Sequence, residues 1–325
     1  MNSETSITGE RSVDREIHTS VDGLLDNIAT VVFGKRDVSK LCLVALLAGE
    51  HVLLEDVPGV GKTLMAKALA RSISADFCRI QFTPDLLPSD IVGSSIFKSQ
   101  ESQFEFIPGP IFSNFVLADE INRAPPRTQS ALLEAMSDGQ VSVDGCTHPL
   151  TKPFMVIATQ NPFEFEGTYA LPESQMDRFL IRVSMGYPDR EDERDILNSH
   201  RTGQPVQQLE PVGTLQDILN IQSAVREVEV EQSICEYLLD VVHATRQSPQ
   251  LSVGVSTRGV LLWYRAIQAH ALIEGRRYAV PDDAKQLTIP VLSHRVQLHS
   301  GIRGSTRDEL ESTLREIVSQ IPLPG

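Results

Sequence analysis

The stretch of this 325-residue chain with the most chemistry in the fewest residues is Gly59-Val60-Gly61-Lys62-Thr63. Glycines let successive backbone N–H groups curl around an anion, a lysine at that spacing reaches the β and γ oxygens of a polyphosphate, and a threonine hydroxyl can ligate Mg²⁺. With Val57-Pro58 ahead of it and Leu64 behind, the run supplies the second half of a Gly-x-x-x-x-Gly-Lys-Thr phosphate loop, so Val57–Leu64 are the expected nucleotide contacts. The helix expected from Thr63 points its positive end at the same phosphates. The first glycine position is Asp56. A Gly-Lys-Thr in an ordinary surface turn is the plainer reading, and the strand before and helix after argue against it.

A second chemical signal follows some sixty residues on. Phe115-Val116-Leu117-Ala118-Asp119-Glu120 is an apolar run ending in two acids. Acids at the carboxyl end of a strand in an α/β sheet lie in the ligand crevice. Asp119 can hold the Mg²⁺ shell and Glu120 can polarise an attacking water. Two adjacent acids are often only solvated, and pairing with Lys62 and Thr63 makes that the minority reading. The chain has no Asn-Lys-x-Asp run of the kind that reads guanine. Ser137-Asp138-Gly139-Gln140, which looks like a transporter signature, comes after the acidic strand rather than before it.

These residues need a scaffold, and the pattern of apolar runs supplies one. His51–Glu55, Phe77–Phe82, Phe115–Ala118, Phe154–Thr159 and Phe179–Val183 are short and continuously apolar, as strands covered on both faces must be. Helical patterns such as Thr63–Ile73 and Arg127–Ser137 lie between them. The expected fold is therefore α/β, a doubly wound, parallel five-stranded sheet. Hairpin signals interrupt it at Ile96–Phe106 and at Gln140–Thr151. After Pro188 the reading turns helical: Asp189–Ser199, Leu215–Val225, Gln232–Thr245, Thr257–Glu274, Asp282–Leu287 and Thr306–Ile321. Pro281 starts one of these helices, Gly275 stops another, and Thr202–Pro211 reads as a linker. The division expected is 1–30, a helical or flexible segment; 31–188, a nucleotide-binding domain; and 189–325, a smaller all-α lid.

Composition restricts the partners. The 43 Asp and Glu against 29 Lys and Arg leave a net charge of −14, a field of the wrong sign for nucleic acid. No apolar stretch approaches the ~20 residues of a membrane helix, and the first residues have neither the basic start nor the apolar core of a signal peptide. Four scattered cysteines without a Cys-x-x-Cys pair indicate neither zinc nor disulfides. The chain reads as cytoplasmic, without membrane insertion, with protein partners.

Taken in order, Val57–Thr63, Asp119-Glu120-Ile121-Asn122-Arg123-Ala124-Pro125-Pro126, Gln129–Met136, Ala158-Thr159-Gln160-Asn161-Pro162, Gly167–Glu173 and Asp177-Arg178-Phe179 resemble the MoxR family of AAA+ ATPases, from about Val32 to Arg295. The resemblance implies ATP hydrolysis with Mg²⁺. It implies that Asn161 is a polar sensor orienting water, that Arg178 is offered to a neighbouring subunit's nucleotide (with Arg123 as a weaker alternative), and that Arg258 is a lid arginine directed at the bound phosphates. Asp56 is a variation such a family is expected to tolerate, because the later glycines contact the phosphates. His294-Arg295 is expected to be lid packing. The Ile96–Phe106 hairpin resembles the insertion that marks the helix-2-insertion branch, whose hairpins face a pore or client; Phe104 and Phe106 could equally pack it down. The implied machine is a homo-hexameric ring that remodels proteins, with von Willebrand factor A-domain proteins as clients. Competing readings are an ATP-dependent switch with slow hydrolysis, a small-molecule kinase, which the pairing of Glu120 with Arg178 disfavours, and a nucleic-acid translocase, for which there is no basic stripe.

Overall fold

The computed structural model describes residues 4–162, 167–299 and 307–324. Its first half comprises α1 (Glu4–Ala29), α2 (Arg36–Ala48), β1 (Val52–Glu55), α3 (Lys62–Ser72), β2 (Phe77–Gln81), α4 (Pro88–Val92), the hairpin β3 (Gly93–Lys98) and β4 (Gln103–Pro108), β5 (Phe115–Asp119), α5 (Pro126–Asp138), the hairpin β6 (Gln140–Val143) and β7 (Cys146–Pro149), β8 (Met155–Gln160), α6 (Glu173–Met176) and β9 (Ile181–Val183). Five strands form one sheet in the order β2-β5-β8-β1-β9, and every pairing in it is parallel. The expected doubly wound, five-stranded sheet is present, with both hairpins as insertions outside it.

Burial explains why those runs are strands. All four residues of β1 and all five of β5 are buried, so bulky apolar side chains on both faces are satisfied only between helical layers. The edge strand β2 alternates more polar residues, with Arg79 and Gln81 both exposed. His51, ahead of β1, is buried and bridges three elements. Its Nδ1 accepts the Val156 N–H at 3.1 Å, and its Nε2 lies 3.1 Å from the Met136 carbonyl at the end of α5. Those partners require a neutral ring.

The second half holds α7 (Arg190–Ser199), α8 (Leu215–Val225), α9 (Gln232–Gln247), β10 (Leu251–Val253), α10 (Thr257–Ile273), α11 (Pro281–Leu292), β11 (Gln297–Leu298) and α12 (Arg307–Ser319). Thr306, the expected first residue of the last helix, lies outside the described residues. The expected helices are present, and α11 runs past Leu287 to Leu292 with Pro290 inside it. The half is not purely helical: β10 and β11 pair antiparallel in a ladder too short to leave a periodic signal. Within α10, Leu262, Trp263, Ala266, Ile267 and Ala269–Ile273 are buried, and Gly275 takes the left-handed conformation (φ 72°) that ends the helix. The Thr202–Pro211 stretch follows the 3₁₀ turn His200–Thr202 and contains a second, Pro205–Gln208, with Val206 buried against the body.

The N-terminal segment is more than an appendage. Val21, Leu24, Leu25 and Ile28, one face of α1, are buried in the apolar cluster that also contains Leu69 of α3 and Trp263 of α10. That cluster runs across Pro188 and joins both halves. Among the described residues, no helix is long and apolar enough to cross a membrane.

Candidate nucleotide site

A cleft of about 440 Å³ opens at the carboxyl ends of β1, β5 and β8. Gly59, Gly61, Lys62, Thr63 and Leu64 line one wall, and Asp119, Glu120 and Asn161 another. The structure thus brings together residues up to a hundred positions apart, as a parallel sheet does when its strands end at one edge. Gly61 (φ 98°) turns the chain into α3, a helix whose first turn carries no acid to offset its positive end. Lys62 Nζ donates to the carbonyls of Asp56 and Val57, at 2.6 and 3.2 Å. Burial pulls the Lys62 ammonium below its ordinary value, against the opposing pull of Asp56, Asp119 and Glu120. Thr63 and Asp119 offer a hydroxyl and a carboxylate, hard oxygen donors of the type that suits Mg²⁺ with its retained waters. Among the described residues there is no cluster of three His, Cys, Asp or Glu that could hold a metal by themselves.

The acids are held by groups the sequence did not single out. Arg79 on β2 grips Asp119 Oδ2 through Nη2 at 2.6 Å and Nε at 3.0 Å. Asp119 Oδ1 accepts from the Thr159 hydroxyl at 2.6 Å, and that hydroxyl in turn accepts the Glu120 N–H at 2.9 Å. Glu120 sits in the left-handed region (φ 56°, ψ 50°), uncommon for a residue with a side chain and typical of functional positions. Its carboxylate accepts from Gln81 Nε2 at 2.8 Å and pairs with Arg123 Nε at 3.2 Å. The pairing register Gln81↔Asp119 in β2 and β5 is what lines up these partners. The visible signal was the alternation Arg79-Ile80-Gln81, which puts two polar side chains on one face of a strand. Beside the cleft, Gly59, Gly61 and Leu64 also border a 230 Å³ pocket that Val31, Phe33, Met185, Pro188 and Ile196 close with mainly apolar surface. Val60 lies in that pocket rather than in the cleft.

Arg178 and Arg258 lie elsewhere. The Leu180 N–H donates to the His51 carbonyl at 2.9 Å, which fixes Arg178 near the amino end of β1, at the opposite sheet edge from Lys62. Its guanidinium donates to the Leu133 carbonyl and, at 2.6 Å, to Ser137 Oγ, at the far end of α5. Arg258, exposed at the start of α10, lies near His51 and Glu50: burial, with a smaller push from Arg258, lowers His51, while burial raises Glu50 against the pull of Arg265 and Arg258. It is not among the residues lining the cleft of its own chain. The helix α10 that carries it is seated against α2 and α11.

One carboxylate ties the two arginine-bearing segments together. Ser256 Oγ donates to Asp177 Oδ2 at 3.2 Å, and Arg295 Nε pairs with Asp177 Oδ1 at 2.9 Å. Arg295 Nη2 also donates to the Phe179 carbonyl at 2.5 Å, and His294 Nε2 lies 2.9 Å from the same oxygen. His294-Arg295 therefore clamps the segment bearing Arg178 and does more than pack the lid. Burial lowers Arg295 to about 10 despite Asp177, and burial first, then Arg295, holds His294 well below its ordinary value.

The insertions divide as well. Phe97 and Phe104 face each other across β3 and β4 with centroids 5.2 Å apart, and Phe104 is 72% exposed. Phe106 instead stacks on His148 of β7 at 4.0 Å and packs edge-on against Phe112. Phe106 fastens the hairpin, and Phe104, packed on Phe97, stays at its surface.

Residues 51–181 match the model for the ATPase family associated with various cellular activities (AAA), and residues 243–320 match that for the AAA lid domain. The chain is 50% identical to YeaC of Bacillus subtilis, over 95% of this chain and 96% of that one. It is 39% identical to Chaperone MoxR1 of Mycobacterium tuberculosis, over 97% of this chain and 85% of that protein. A crystal structure of a Cytophaga hutchinsonii protein assigned to the ATPases superposes with a TM-score of 0.88, covering 99% of both chains at 34% identity. Relatives of that identity along nearly the whole length, joined to a cleft of this composition, place the chain in the MoxR family of AAA+ ATPases, enzymes that hydrolyse ATP.

Proposed function

We propose that the protein works as a homo-hexameric, chaperone-like ring that spends ATP to remodel partner proteins, with 31–188 as the nucleotide domain and 189–325 as the lid. Clients carrying von Willebrand factor A domains are the ones its family suggests. The observation that carries this reading is the separation of the charges. Lys62, Thr63, Asp119, Glu120 and Asn161 share one cleft, while Arg178 and Arg258 lie together at the other end of the sheet. The arginines a monomer does have at its cleft, Arg79 and Arg123, are tied to Asp119 and Glu120, and a neighbour in a ring supplies Arg178.

In this scheme the adenine occupies the 230 Å³ pocket, with the phosphates over Gly59–Leu64 and the N-terminus of α3. Lys62 leaves its two carbonyls for the β and γ oxygens. Thr63 and Asp119 would hold Mg²⁺, which when bound would supply charge neutralisation and alignment of the phosphates. Asp119 must first part from Arg79, and Glu120 from Gln81 and Arg123. Glu120 then takes the proton of a water that Asn161 orients, and Arg178 of the adjoining subunit stabilises charge on the transferring phosphoryl group.

Mixing tests it. Arg178→Ala subunits keep an intact cleft, and Lys62→Ala subunits keep the arginine. Co-assembled, the two inactive variants should recover part of the wild-type ATPase rate. Mixed rings confirmed by mass yet still inactive would rule out donation in trans.

A further inference from the structure

Asp56 stands where a phosphate loop of this type has its first glycine, and it is 93% shielded from solvent (7% exposed). Its carboxylate is fully engaged. Oδ1 accepts the N–H of Val57, the next residue of the loop, at 2.8 Å. Oδ2 accepts from Ser184 Oγ at 2.7 Å and from the Gly186 N–H at 2.7 Å. Burial alone would raise this carboxyl; the hydrogen bonds from Gly186, Ser184, Val57 and Met185 outweigh it and hold the group below the usual carboxylate range.

The partners make this more than a local turn. Ser184 and Gly186 belong to the segment leaving β9, one that leads through Pro188 to the N-cap Asp189 of α7. Gly186 is left-handed (φ 63°), so its N–H is presented to the carboxylate by a bend that suits glycine. Between them, Met185 lines the pocket beside the loop and would lie 3.6 Å from a Cβ built on Gly61. Lys35 Nζ donates to the Tyr187 carbonyl at 2.9 Å and pins the same segment from the opposite wall. The Asp56 carbonyl also receives Lys62 Nζ, so one residue anchors the loop lysine through its backbone and the β9 exit through its side chain.

We propose that Asp56 is a positioning residue for the nucleotide: its carboxylate joins the phosphate loop to residues 184–186, so that the phosphate cleft, the base pocket and the approach to α7 respond to nucleotide as one unit. A glycine at position 56 cannot make this connection. Asparagine keeps the size and can still accept from Val57, but its amide offers one oxygen where the carboxylate offers two to the converging donors. The proposal rests on the reading of the cleft as the ATP site.

The test uses the full chain, with ATP affinity by calorimetry, steady-state ATPase kinetics, and hydrogen exchange with and without ATP. In the wild type, ATP should slow exchange both at 57–64 and at 184–190. Asp56→Gly should bind ATP about tenfold more weakly, as expected for losing hydrogen bonds to a charged acceptor. It should raise KM far more than it lowers kcat, and it should keep ATP-induced protection at 57–64 while losing it at 184–190. Asp56→Asn should lose the same linker protection with an intermediate affinity. Ser184→Ala, the mildest change, should weaken the linker response without touching the loop. ATP affinity within twofold of wild type and an intact response at 184–190 in Asp56→Gly would overturn the proposal. So would uniformly faster exchange with the ATP-induced differences preserved, since that is the mark of a purely structural residue. Should Asp56→Gly not fold, wild-type linker protection in Ser184→Ala and Asp56→Asn overturns it instead. A wild type that binds no ATP would sink the ATP-site reading itself.

Discussion

Glu120 is held in an uncommon backbone conformation with its carboxylate occupied by Gln81 and Arg123. The base proposed for water activation is therefore restrained, and turnover requires it to be released. Glu120→Gln should bind ATP with near wild-type affinity while kcat drops by at least ~10²-fold, the usual worth of a positioned general base. Lys62→Ala should abolish measurable ATP binding in the same calorimetric titration; affinity near wild type would remove the loop from the reading. Both residues were legible in the sequence because each lies within a contiguous strand–loop or strand–acid pattern. Arg79 and Gln81 were not, since their roles arise from the register of β2 against β5, and nothing local to either strand encodes that pairing.

Elements were legible where burial imposes a period, as in the five sheet strands and the long α10. They were not legible where three residues suffice, as in β10, or where tertiary contacts decide, as in the inner face of α1. The seating of α10 against α2 and α11 was likewise beyond sequence. His51 gives a measurable consequence of element packing. Burial lowers its pKa from 6.5 to about 4, with the Met136 carbonyl opposing and Arg258 adding to the effect. A folded-state value below the unfolded one means that this group's contribution is complete above pH 6.5 and is lost as pH falls towards 4. The difference corresponds to on the order of 3 kcal/mol. Thermal unfolding between pH 7 and 4.5 should show that loss, and His51→Gln, which can mimic both hydrogen bonds without titrating, should flatten it. An equally steep acid limb in the variant would assign the effect to His294, which burial first and then Arg295 hold well below its ordinary value. Burial would raise Asp283, but Arg276 and His270 hold it far below the ordinary carboxylate range, so its contribution is lost only at more acidic pH.

At the scale of the whole molecule, an acidic chain keeps its functional cations in two separate places, one at the loop and one around Asp177. The second depends on Arg295. Arg295→Met should cost stability of about 3–5 kcal/mol by stranding the Asp177 charge. More tellingly, it should depress ring ATPase while ATP affinity stays within twofold, because the segment it clamps bears Arg178 and not the cleft. Thermal shift, kcat and calorimetry on the same preparation separate these effects, and unchanged kcat would detach Arg295 from the arginine pair.

The stack of Phe106 on His148 has a mechanical meaning. It bolts one hairpin to the other, and the second hairpin runs directly into β8, the strand that ends at Thr159, Gln160 and Asn161. The exposed Phe97–Phe104 face of the first hairpin is thus connected, through two stacked rings and a strand, to the wall of the nucleotide cleft. The same linkage runs in reverse: in the proposed remodelling cycle, a shift at the nucleotide cleft would reach the hairpin by way of β8 and the stacked rings.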